Sequence, residues 1–227
     1  MEREVRHVLP ADIERTSMEI ISEELAQMGV VLSGPNEAVI KRVIHTTADF
    51  DYVENLRFTP RAVEQAVEVL RAGAVIVTDT NMACSGVNKA GLGKLKGEAL
   101  CLMADPEVAA AAKAAGTTRA AAAVERAAAA HPAAVFAVGN APTALLKLRE
   151  LMEGGFRPAL VIGAPVGFVN VVESKRQIFG ICAETGVPCI AAMGRKGGSN
   201  VAAAICNALI YTALDWVDPG KRDTARA

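Results

Sequence analysis

The chain has 227 residues, 52% of them apolar, and sets 24 basic side chains against 25 acidic ones for a net charge of −1. That length suffices for one full core, and the charge balance excludes a surface that holds nucleic acid or an anionic membrane by general electrostatics. The five cysteines, Cys84, Cys101, Cys182, Cys189 and Cys206, include no C-x-x-C pair and no histidine at metal-ligand spacing, which argues against a disulfide framework or a metal site. Reduced thiols, an N-terminus without the apolar core of a signal peptide and no run of 18 or more apolar residues predict a cytoplasmic protein outside the membrane.

From the N-terminus, Ile13 to Met28 carries Met18, Ile21, Leu25 and Met28 at helical intervals and is closed by Gly29. Ser17 falls in its early turns beside Arg15, where a routine polar helix position is the plainer reading of the serine. Ser33-Gly34-Pro35-Asn36 is turn chemistry, with Asn36 as the expected N-cap of the next helix. On that helix Val39, Ile40, Val43 and Ile44 form one apolar stripe, and His45 points roughly 170° away from it, with Arg42 one turn earlier. Between Ile40 and Tyr52 the chain also carries Thr46, Thr47, Asp49 and Asp51, an unusual density of polar chemistry. A solvated helix face accounts for the same spacing, so the imidazole is a candidate and no more at this point.

Thr59-Pro60 reads as a cap and opening for a helix running to Arg71. Ala74 to Thr78 is then a short apolar run of the kind buried on both faces of a parallel sheet. Similar runs recur at Glu98 to Met103, Ala133 to Val138, Ala159 to Ile162 and Val187 to Ala191. Helical stretches separate them: Pro106 to Ala115, Thr118 to Ala130, Pro142 to Glu153 and Glu173 to Thr185. This alternation predicts an α/β fold, a three-layer α/β/α sandwich around a mostly parallel sheet. A single domain is expected through residue 214, with a polar C-terminal tail over 215–227 that frays.

Ligands of such sheets bind at the carboxyl ends of the strands, and here those ends lead into loops rich in glycine and small polar residues. The loops are Asp79 to Lys89, Gly139 to Thr143, Gly163 to Phe168 and Gly194 to Asn200. The last places Arg195, Lys196 and a diglycine before Ser199 or Asn200 as the N-cap of a final helix, a favourable setting for an anion. Neither Walker spacing nor G-x-G-x-x-G occurs, which disfavours nucleotide chemistry. Arg119 opens the second of two alanine-rich helices, where it faces either the crevice or solvent.

Ile13-Glu14 with Ser17, Arg42-Val-Ile-His-Thr-Thr-Ala-Asp-Phe50, Asp79-Thr-Asn-Met82 and Gly86-Val-Asn-Lys89 belong to one collinear set. Gly139-Asn-Ala-Pro-Thr-Ala144, Pro165-Val-Gly-Phe168 with Glu173-Ser-Lys175, and Gly194-Arg-Lys-Gly-Gly-Ser199 complete it. Together they resemble the precorrin-8X methylmutase family of cobalamin biosynthesis over roughly residues 8 to 214. The resemblance implies an isomerase that moves a methyl group between adjacent carbons of a pyrrole-derived ring, on a metal-free or a cobalt-loaded corrin precursor, with no redox cofactor or catalytic metal.

The same resemblance marks His45 as the proton-transfer residue and Ser17 and Arg42 as substrate contacts. It also implies a homodimer with the cleft near the subunit boundary. Thr80 is a further candidate contact, and Arg15, Arg119, Arg195 and Lys196 are candidates for the substrate's carboxylate arms. Arg42 is expected to depress the imidazole pKa by like-charge repulsion unless a substrate carboxylate neutralises it. Two other functions stay open on the sequence: a corrinoid carrier without catalysis, and a nucleotide or phosphosugar enzyme using Gly194 to Asn200 as a phosphate cradle.

Overall fold

Six strands form one sheet in the order β1-β6-β5-β4-β2-β3, parallel throughout except for β1, which runs antiparallel at the edge beside β6. The computed structural model describes residues 9 and 12–217. The strands are β1 (Leu56–Phe58), β2 (Val75–Thr78), β3 (Glu98–Leu100), β4 (Val135–Val138), β5 (Leu160–Gly163) and β6 (Cys189–Ala192). Before β1 come α1 (Ile13–Gln27), α2 (Asn36–Thr47) and α3 (Tyr52–Asn55), and α4 (Ala62–Arg71) links β1 to β2. Helices α5 (Asn81–Gly86) and α6 (Lys89–Lys94) follow β2, and α7 (Pro106–Ala114) and α8 (Arg119–Ala130) follow β3. The chain then passes through α9 (Pro142–Glu153), α10 (Val171–Thr185) and α11 (Ser199–Ala213), one after each of the last three strands.

The central strands β4, β5 and β6 are buried at every residue, so alternate side chains feed two separate cores. Val135, Ala137, Leu160, Ile162, Ile190 and Ala192 pack against α1, α2, α4, α6 and α11. Phe136, Val138, Val161, Cys189 and Ala191 pack against α8, α9 and α10 on the other face. Small residues let α11 lie close: a Cβ on Gly86 would sit 2.8 Å from the Ala203 Cβ. The three-layer sandwich read from the alternation of runs is therefore the observed architecture.

Several local expectations differ from the structure. The edge strand β1 gave no pattern, because three residues with Arg57 exposed between Leu56 and Phe58 are too short to show a period. Thr59 does not cap α4. Its hydroxyl instead accepts from the Cys189 N–H at 2.8 Å, prolonging the β1–β6 pairing, and α4 starts at Ala62 after Arg61 turns left-handed. Asn36 is the first residue of α2 and Pro35 takes the cap position. Gly198, with φ 134°, precedes α11, so neither Ser199 nor Asn200 is the cap. The stretch Asp79 to Lys89 is not an open loop: Thr80 and Asn88 cap α5 and α6 through bonds from Ala83 and Gly91 N–H. The start of the expected fraying tail is anchored, since the Trp216 N–H donates to the Tyr211 carbonyl at 2.7 Å and Lys94 lies 4.6 Å from the Trp216 ring centre. Residues 218–227 lie outside the described residues.

Candidate active site

The sheet order reverses between β2 and β4, and the loops leaving those strands are bound together there. The buried Asp79 carboxylate, directly after β2, accepts the N–H groups of Gly139, Asn140 and Ala141 at 2.7, 2.8 and 2.6 Å. Burial raises its pKa, and the three backbone donors oppose that shift. Thr80, expected as a substrate contact, places its hydroxyl 2.7 Å from the Ser199 hydroxyl and so ties the β2 exit to α11. Gly139 is required by this closeness, because a Cβ there would stand 2.7 Å from the Ser199 Cα. Thr118 and Thr143 hydroxyls meet at 2.8 Å, which brings the exposed Arg119 at the start of α8 beside the β4 exit.

The β5 and β6 exits are joined in the same way. Gly198 N–H donates to the Ala164 carbonyl at 2.8 Å, and Gly167 N–H to the Arg195 carbonyl at 3.2 Å. Lys175, on the buried stripe of α10, donates to the Gly194 and Lys196 carbonyls at 2.9 and 2.8 Å. Its burial pushes the pKa down to about 8. The Lys196 side chain then crosses to α2's end, where its ammonium lies 2.6 Å from both Asp49 and Asp51. The lysine bond holds the Asp49 carboxyl below its usual range, and the two carboxylates raise the lysine pKa in turn. Lys196 thus spends two of its three donors within the chain. Arg195 lies 5.5 Å from the Phe168 ring centre, in a loop where Val166, Phe168 and Val169 are all exposed.

His45 lies in the last turn of α2 and is exposed, as its position opposite the apolar stripe predicts. Ala48 ends the helix in the left-handed conformation at φ 52°, turning the chain into Asp49 and the Lys196 bridge. The end of α2 that carries His45 is consequently tied to the β6 exit loop. Arg42, one turn earlier, meets the Glu14 carboxylate of α1 at 2.5 Å and lies 5.2 Å from the Tyr211 ring centre. That internal carboxylate, not a substrate group, already offsets the cation expected to act on His45. Ser17 follows Glu14 by one turn of α1, and its hydroxyl donates to the Ile13 carbonyl at 2.8 Å.

A separate cavity lies away from the strand exits. It holds about 740 Å³ between α1, α2 and α11, at the other end of α2, and its lining includes Arg15, Met18, Arg42, Ala208 and Tyr211. Neither His45 nor Ser17 lines it. Arg15 pairs with Asp12 at 2.5 Å and stays on this side, apart from Arg119, Arg195 and Lys196. Within one chain His45 is exposed and lies outside that cavity.

Sequence reasoning passed over Asp79, Lys175, Glu14 and the Asp49–Asp51 pair as functional supports. For Lys175 a signal existed: it falls on the stripe of Val171, Ile178 and Cys182, and a lysine on an apolar stripe must find acceptors. Glu14 and its distant partner carry no such local signal. Among the described residues no group of three or more histidine, cysteine or acidic side chains is arranged to hold a metal, and no helix is long and apolar enough to cross a membrane.

A doubly wound parallel sheet, bound strand-exit loops and an exposed histidine on the helix end tied to them define an α/β enzyme scaffold. The precorrin-8X methylmutase family model matches residues 12–212, and the chain belongs to that family. It is 46% identical over 206 residues to the cobalt-precorrin-8 methylmutase of Salmonella typhimurium, covering 89% of this chain and 95% of that one. The precorrin-8X methylmutase of Pseudomonas aeruginosa is 38% identical over 174 residues, covering 76% and 82%. The crystal structure of precorrin-8x methyl mutase from Thermus thermophilus superposes with a TM-score of 0.80 at 42% identity, over 90% of this chain and 98% of that one. The chain is accordingly a methyl-shifting isomerase of cobalamin biosynthesis.

Proposed function

We propose that the substrate is a corrin precursor, precorrin-8X or its cobalt form, and that the product is hydrogenobyrinic acid or cobyrinic acid respectively. The methyl carbon leaves one ring carbon and bonds to the adjacent one, so the reaction is an isomerisation with no net gain or loss of atoms. His45, as imidazolium, donates a proton or hydrogen bond to a ring nitrogen, which draws electrons from the conjugated system as the methyl group moves. General acid help of this kind is worth about 10²–10⁴ in rate. What supports this reading is that His45, exposed in the last turn of α2, stands one turn before Asp49, which the Lys196 bridge ties to the β6 exit loop.

Ser17 and Arg42 contact the substrate beside His45 in this reading, and Thr80 borders it at the β2 exit. Arg119 and Arg195, with the third donor of Lys196, receive carboxylate arms. Arg15 does so at the mouth of the α1–α2–α11 cavity. A homodimer whose boundary encloses His45 is supported by the openness of the site in one chain and by exposed Met82, Val166, Phe168 and Val169 at the strand exits. One sheet with a core on each face supports a single domain through residue 214, and the free thiols support a cytoplasmic setting.

The 46% identity to a cobalt-precorrin-8 enzyme stands above the 42% and 38% to the two enzymes named for precorrin-8X, and on that ordering the cobalt-loaded substrate is the one we put first. The test is to incubate the purified protein with each substrate separately and identify products by visible absorbance, since mass does not change on isomerisation. Conversion of the cobalt form at the higher rate is expected. Conversion of neither overturns the proposal, and a bound but unchanged corrinoid makes the protein a carrier.

A further inference from the structure

Buried cations need a reason. Lys175 is completely buried on α10, yet it forms no ion pair among the described residues: its ammonium is held by the main-chain carbonyls of Gly194 and Lys196. Replacing it with an apolar side chain would spare the cost of desolvating a charge, so what the lysine supplies has to be sought in the loop it grips. That loop is confined from the other side too. A Cβ on Gly197 would collide with the Ala164 carbonyl and stand 2.7 Å from that of Pro165, and Gly198 N–H is already bonded to Ala164.

The grip continues outward in an unbroken sequence of bonds. The residue whose carbonyl Lys175 holds, Lys196, sends its side chain to both Asp49 and Asp51 at 2.6 Å. Asp51 N–H in turn donates to the Asp49 carboxylate at 3.0 Å, closing the turn that follows Ala48. Four residues before Asp49 stands His45. An exposed end of a helix would otherwise be free to fray, and the bridge replaces that freedom with a fixed position over the strand exits.

We propose that Lys175 is a positioning residue for the methyl shift: by holding the Gly194–Lys196 carbonyls it fixes the Lys196 bridge and, through Asp49 and Asp51, the placement of the His45 imidazole. It touches no substrate in this role. The inference rests on His45 being the acting group. A buried lysine serves better than a hydroxyl here, because one ammonium reaches two carbonyls at once with a donor to spare.

The test is a cycle of variants on the whole protein: Lys175→Met, the pair Asp49→Asn with Asp51→Asn, and all three together. Single-turnover rate, product affinity and melting temperature are measured for each. Both arms are expected to lower the rate by roughly 10-fold to 100-fold, as a displaced catalytic group does, with product affinity within about 3-fold of native. Because they cut the same strut, the triple variant should be no slower than the slower arm. Multiplying effects on rate, or a lowered melting temperature with native rate in Lys175→Met, overturn the inference. Should Lys175→Met not fold, the aspartate pair decides alone: a folded pair variant with native rate overturns it. Failure of the underlying reading is separate, because it appears as native rate in His45→Ala whatever the strut variants do.

Discussion

Arg42 of α2 meets Glu14 of α1 at 2.5 Å, with only 13% of the arginine side chain exposed, and the pair fastens α1 to the helix that carries His45. Removing the carboxylate leaves a largely buried guanidinium without its anion, while Tyr211 still covers one face. Glu14→Gln is expected to lower stability by about 1–2 kcal/mol in urea unfolding. It also exposes His45 to an unbalanced positive neighbour one turn away, so the limb of the rate profile that requires imidazolium should move to lower pH. An unchanged profile would mean that Arg42 and His45 do not sense each other.

Lys175 gives stability a pH signature. Its folded pKa, about 8, lies below the ordinary lysine value of 10.5. Between those values the unfolded chain binds a proton that the folded chain has released, so this group makes the unfolding free energy rise with pH across that window. Below pH 8 the contribution is lost. The stability of the native protein relative to Lys175→Met, followed by urea unfolding from pH 7.5 to about 10.5, should therefore rise with pH. A constant difference would contradict the burial of a titrating ammonium.

Gly197 is a steric prediction. With the Ala164 and Pro165 carbonyls where a Cβ would go, Gly197→Ala must displace backbone, not a flexible side chain. A loss of about 1–3 kcal/mol is expected, together with slower turnover because Lys196 is the adjacent residue. Gly180, with open space around its Cβ position, is the matched control. Gly180→Ala lies within α10 and should be neutral or slightly stabilising in thermal melts.

Charge removal separates the arginines. Arg119→Ala and Arg195→Ala should each weaken binding of the polycarboxylate product by several-fold at low salt, and the loss should shrink as salt is added. Arg15→Ala, at the α1–α2–α11 cavity and away from the strand exits, should have the smallest effect of the three. Equal affinities across all variants, by absorbance titration, would remove these residues from the substrate site.

The architecture was legible because its signals are local. Buried parallel strands such as Val135–Val138 leave uninterrupted apolar runs, and helices such as Pro142–Glu153 begin at a proline and keep a helical period. The orientation of His45 followed from the same arithmetic, since the four apolar residues of α2 fix which way the imidazole points. What holds it in place was not legible. The Asp79 carboxylate bonds N–H groups sixty residues away, and Lys196 reaches back across 147 positions to Asp49, pairings that exist only once the strand exits have been brought together. The α1–α2–α11 cavity was not legible for a related reason: it forms only where three helices distant in sequence pack together, which no spacing of residues encodes.

In the proposed reaction an exposed imidazole drives the methyl shift as a proton donor. His45→Ala, given one equivalent of the preferred corrin precursor and followed by visible absorbance in a single turnover, should bind substrate yet convert it about 10²–10⁴ times more slowly than the native enzyme. Conversion at near-native speed would show that the protein works by shaping the macrocycle alone, with His45 a bystander.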